Sequence, residues 1–151
     1  MFGRRVAAVA CAVAVVGGLA AAPAQAAAKP AKVRIAKVYY DSPGPDRGSN
    51  SSLNHEWVAL HNYGGKAKDL YGYTVRDRSN HVYRFGHVSL RAGKTIYVHT
   101  GRGKNGTVHV YQGRRWYVWN NTSDAATLRT RYGTKIDVCS WSHTGKGWKN
   151  C

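Results

Sequence analysis

The chain has 151 residues, with 23 Lys and Arg against seven Asp and Glu, a formal net charge of +16 with neutral histidines. That length suits one domain with a buried core, and the charge speaks to partners rather than to fold. Seventeen glycines, and few strong helix formers beyond the N-terminal segment, argue against a helical bundle.

The N-terminus reads as an export leader. Arg4 and Arg5 form a positive start, Val6 to Ala22 is an uncharged apolar run, and Ala24-Gln25-Ala26 is the small-x-small pattern of a cleavage site. Residues 1–26 are therefore expected to be a cleaved signal peptide, 27–32 a linker and 33–151 the domain, secreted with no transmembrane span after processing. The mature balance would be 21 basic against seven acidic residues, or +14. Cys11 leaves with the leader. The remaining pair, Cys139 and Cys151, reads as one disulfide in an oxidising compartment.

From Val33 onward the texture is β. Short runs rich in Val, Ile, Tyr, Thr and Trp predict strands over residues 33–40, 56–62, 73–76, 82–85, 95–99, 107–111, 127–131 and 135–139. Gly, Asn, Asp and Ser clusters separate them, the longest break being 42–54, and no window shows sustained helical periodicity. In the second run Val58 and Leu60 share one face, opposite Trp57, Ala59 and His61. In the last, Ile136 and Val138 oppose Lys135, Asp137 and Cys139. About eight short strands at this spacing predict an all-β sandwich or small barrel.

The order of motifs is specific. Glu56-Trp57-Val58-Ala59-Leu60-His61-Asn62 precedes Asp69-Leu70-Tyr71-Gly72-Tyr73-Thr74-Val75-Arg76-Asp77. Tyr83-Arg84-Phe85 and Ile96-Tyr97-Val98-His99-Thr100-Gly101 come next, and then Trp119-Asn120-Asn121-Thr122-Ser123-Asp124. Over about Val33 to Val138 the chain resembles the lamin tail domain in its secreted bacterial form. The resemblance implies an immunoglobulin-like β-sandwich. It also implies a role in protein, chromatin or DNA contacts, or as an accessory module beside secreted hydrolases and nucleases. Ala59 stands where bacterial members often carry a second acidic residue. The matched residues have physical tasks: Gly72, Gly93 and Gly101 suit positive-φ turns, and Asn62, Asp69, Asn121 and Asp124 suit caps on backbone amides. Trp57, Tyr73, Phe85 and Trp119 supply core area or close the sandwich.

Catalytic machinery is thin. No G-x-S-x-G, H-E-x-x-H or P-loop is present. Alternation turns His55 away from Glu56, so the 55–62 segment does not make a nuclease pair, and no enzyme activity is expected. Asp41, Asp46 and Glu56 offer oxygen donors of the kind calcium takes, without EF-hand spacing. No metal and no cofactor are expected.

Arginine interleaved with aromatics is the stronger signal. Arg76, Arg78 and Arg84 surround one predicted hairpin, and Arg102 and Lys104 lie in a Gly-rich turn. Arg114 and Arg115 precede Trp116-Tyr117, and Arg129 and Arg131 are expected to project from one strand face. Guanidinium forks fit phosphate, and aromatics stack on bases or sugars. These nine residues form the predicted polyanion site. The expected function is a secreted, non-enzymatic binding module whose partner is an anionic polymer: nucleic acid, phosphate-bearing wall polymer or anionic surface. A protein-interaction module of the envelope is the alternative, and a small secreted nuclease or hydrolase the third reading.

Overall fold

The computed structural model describes residues 31–142 and 145–151. The expected leader, and residues 27–30 of the linker, lie outside the described residues. The chain runs β1 (Val33–Tyr39), α1 (Asn50–His55), β2 (Trp57–Asn62), β3 (Lys68–Asp69), β4 (Thr74–Arg76) and β5 (Val82–Arg84). It continues with β6 (Ser89–Leu90), β7 (Thr95–His99), β8 (His109–Tyr111), β9 (Asp124–Arg129), β10 (Lys135–Trp141) and β11 (Trp148–Asn150).

One sheet has the strand order β11-β1-β2-β7-β8 and the other β10-β9-β4-β5, with β3-β6 a small ribbon. Every pairing is antiparallel except β7 with β8. Val38, Val58, Leu60, Ile96 and Val98 from the first sheet belong to one core with Val75, Phe85, Ala126 and Leu128. Each fully buried aliphatic or phenyl side chain there contributes about 1.5–3 kcal/mol. The nearly all-β architecture is an immunoglobulin-like sandwich, as expected. Among the described residues no helix is long and apolar enough to cross a membrane.

Two bulges decide what faces solvent. In β1 the register shifts between Ile35 and Lys37, so Val33, Ile35 and Val38 are buried while Lys37 and Tyr39 stay partly exposed. In β10 a shift between Lys135 and Asp137 reverses the expected alternation: Val138 is exposed, and Cys139 and Trp141 are buried. A bulge inserts one residue and moves every later side chain to the other face.

The expected loop over 42–54 contains α1, which Ser49 caps by accepting from the Ser52 amide at 3.2 Å. Six residues with one buried side chain, Leu53, are too few to show a helical period. Gly72 and Gly93 take positive φ, +74° and +66°. Gly101 does not. It is glycine because a Cβ would strike the Asn50 and Asn54 amides, which hold Arg102 through its backbone.

The sheets are tied along the β1–β10 side. Asp137 Oδ2 accepts from the Ile35 amide at 2.9 Å. Cys139 and Cys151 are bonded across 12 positions with Cα atoms 5.7 Å apart, joining β10 to the end of β11. At one end Trp141 stacks on Tyr40 (4.7 Å) and meets Trp119 edge-on (6.1 Å).

Candidate anion-binding face

The register of the four-stranded sheet puts its cations in order. Thr74 lies opposite both Arg84 and Arg129, and Arg129 lies opposite Lys135. Directly opposed residues share a face, so Lys135, Arg129, Thr74 and Arg84 form one row. The inward set is Leu128 and Val75, paired with Tyr83, so this row faces outward. The next outward row holds Thr127, Arg76 and Val82. Arg84 and Arg129, two strands apart, sit about 10 Å from each other.

The other predicted residues border this face or leave it. Arg78 is exposed just past β4, its amide bonded to Asp124 and its guanidinium to Ser123 Oγ at 3.1 Å. Arg114 reaches the β5 edge, with Nη2 3.3 Å from the Val82 carbonyl oxygen. Arg115 is exposed beside Trp116, whose ring rests on Gly48. Arg102 and Lys104 are exposed in the loop after β7, next to α1.

Arg131 departs from expectation. β9 ends at Arg129, and Arg131 lies in the Thr130–Thr134 turn, with its guanidinium 4.7 Å from the Tyr132 ring centre. Arg129 and Arg131 therefore do not share a strand face. Lys135 was missing from the predicted set, although the short turn between β9 and β10 is a hairpin signal that places it opposite Arg129. The placement of β4 and β5 on the other side of β9 had no such local signal.

The guanidinium groups are steadied by neutral acceptors. Arg76 donates to Asn80 Oδ1, Arg84 to the Gly72 carbonyl and Arg129 to the Gly133 carbonyl, at 2.7–3.1 Å. None of these acceptors carries a negative charge to offset the arginine it holds. Among the described residues, no Lys or Arg forms an ion pair with a carboxylate; the ion pairs there are His81–Asp77 and His87–Asp69.

The acids are spent on structure instead. Asp124 accepts from the Arg78, Asn120 and Ala125 amides, and Asp137 from Ile35. Asp69 accepts from Tyr71, and Asp77 from the His81 amide and ring. Asp41 and Asp46 converge on the Asn121 amide group at 3.0 and 3.1 Å. Burial, and then the neighbouring Asp46, raise the Asp41 carboxyl above its ordinary range.

Glu56, expected as a possible calcium donor, faces the core. It is 0% exposed, with Oε1 2.9 Å from the Trp119 amide and Oε2 3.1 Å from that of Val118. Burial pushes its carboxyl up to about 7, while the Thr100 hydroxyl and the two amides pull the other way. It holds the 118–119 segment across the sandwich end and is shut away from any substrate.

His55 bonds the Ser51 carbonyl and His61 the Thr95 hydroxyl, so the histidines flanking β2 do not converge. Trp57 also sits elsewhere than the core. It lies on the outer face of the five-stranded sheet, its ring 5.5 Å from that of Tyr39 and 5.1 Å from that of Tyr97.

Comparison with the curated proteins gives no match. The family model described as the lamin tail domain matches residues 26–143, spanning both sheets up to the end of β10. That family comprises immunoglobulin-like modules that are generally non-catalytic and serve interaction. The chain belongs to the lamin tail domain family.

Proposed function

We propose that this chain is a secreted, non-enzymatic binding module for an anionic polymer, and that the outer face of the four-stranded sheet is its docking surface. One observation carries the reading: the acids are committed to amides, an asparagine and histidines, and the cations are left uncompensated. Folding alone does not call for that division, because unpaired like charges on one face repel. Secretion is supported by the leader pattern and by the Cys139–Cys151 bond, which persists in oxidising compartments. Arg76, Arg84, Arg129 and Lys135 supply the centre, with Arg78, Arg114 and Arg115 at its margin. Recognition is by charge and guanidinium geometry, without base readout.

Paired alanine substitutions test the face. R76A/R84A removes two central cations held only by neutral acceptors, so the fold should persist. The slope of log K against log salt for duplex DNA should become shallower by about 2. R114A/R115A should act similarly if the margin is engaged. R91A/K94A removes the same charge from the exposed turn between β6 and β7, and should leave the slope nearly unchanged. Equal losses from the β6–β7 pair and the R76A/R84A pair would show that net charge, not this face, does the binding.

A further inference from the structure

The opposite sheet carries a surface of different chemistry. Across its outer face the register aligns Trp148, Tyr39, Trp57, His99 and Tyr111, one from each of the five strands. The row is about 19 Å long at the usual strand spacing. Each of these side chains is half-buried, so ring area remains open to solvent. The next row places Tyr97 and His109 beside Ala59. The small Ala59 side chain lets Trp57 and Tyr97 meet edge to face across it, at an interplanar angle of 88°. Tyr97 stacks on His109, and His99 stacks on Tyr111.

Cations accompany these rings. Lys37 Nζ lies 3.9 Å and Lys146 Nζ 5.6 Å from the Trp148 ring centre, and Arg34 lies 4.3 Å above Tyr63. No outward-facing position on β1, β2, β7 or β8 is acidic, because those positions hold Arg34, Lys37, Tyr39, Trp57, Ala59, His61 and the residues of β7 and β8 already named. A neutral partner would gain nothing from that charge. A chain that alternates flat rings with negative groups would engage both features.

The geometry points to single-stranded nucleic acid as the occupant, its bases stacked on the Trp148–Tyr39–Trp57 end and its phosphates beside Lys37 and Lys146. Base–aromatic stacking tolerates any sequence because every base has a π-face. Duplex DNA hides those faces and would be left to the cationic sheet opposite. The inference goes beyond the anion-binding reading and rests on a different surface.

Titrating the mature chain with a dT 12-mer and with an abasic 12-mer, both read by tryptophan fluorescence, separates the two surfaces. The phosphate count is equal, so a purely electrostatic site binds both alike. The expected result is quenching by dT and an affinity for dT at least tenfold above that for the abasic strand. Trp57→Ala should cut dT affinity by about tenfold, leave abasic binding unchanged, and be largely restored in Trp57→Phe. R76A/R84A should leave the dT-to-abasic ratio as it is. If that pair proves silent while the ratio holds, the cationic face fails and the platform stands. Equal affinities for the two strands would overturn the platform. So would a ratio untouched by Trp57→Ala, or tighter binding of a neutral hexasaccharide than of dT.

Discussion

Glu56→Gln should change the pH dependence of stability by about 3 kcal/mol between pH 4.5 and pH 8. Burial strips water from the folded carboxyl and pushes it up to about 7, whereas the free group titrates at 4.5. Between those values the unfolded chain has lost its proton and the folded chain has kept it. The folded state therefore binds more protons, and its stability falls as pH rises, until both states are ionised above pH 7. The size follows from about 1.4 kcal/mol per pH unit.

Glutamine removes this titration but substitutes one acceptor for two. Its Oε1 satisfies one of the Val118 and Trp119 amides, and its NH2 group faces the other donor. That mismatch costs about 1–3 kcal/mol. The variant should be the weaker protein at pH 5 and should equal or exceed the parent at pH 8. Because burial lowers the His99 pKa and gives the opposite trend in parent and variant alike, the difference between the two proteins is the quantity to follow. Urea midpoints across this range measure it, and a constant difference would mean that Glu56 does not titrate between the two states.

Cys151→Ser, or reduction, should cost about 3 kcal/mol and lower the melting temperature by about 10 °C. A loop of this length gives that figure when its closure entropy is returned to the unfolded chain. The loss should be felt first at β11. Only three residues of that strand pair with β1, plus the Cys151 amide on the Ala36 carbonyl at 2.9 Å. Without the bond the edge strand has little to hold it, and Trp148 should leave the aromatic row. Hydrogen exchange localised to Trp148–Asn150 and to the facing half of β1, with β2 and β7 still protected, is the expected signature. Uniform loss of protection would place the bond's effect on the whole domain.

The strands of the sandwich were legible because alternation is a local property. β7 follows it residue by residue, and β2 follows it with Val58 and Leu60 inward and Trp57 and His61 outward, except that the small outward Ala59 is also buried. Where a bulge intervenes, as in β10, local alternation misplaces Val138 and Cys139, since the extra residue is set by pairing with β9. The short β3 and β6 pieces were hidden for a similar reason, two residues being too few for a period.

The site was legible in kind but not in place. Arginine content and spacing were visible, whereas the row through Lys135, Arg129 and Arg84 joins the β9–β10 hairpin, across Thr74, to β5, a strand far from it in sequence. Trp57 looked like core area because large aromatics usually are. Only the register with Tyr39 and His99 reveals it as part of a surface row.

The salt dependence of duplex DNA binding by the mature chain bears most directly on the cationic face. Five or six phosphate contacts should give a log–log slope of about −5, an affinity loss of about a thousandfold between 50 and 200 mM salt. Binding should show little preference among sequences, because contacts to phosphate carry no base information. A slope near zero, with binding retained at high salt, would show that the uncompensated arginines do not hold the partner.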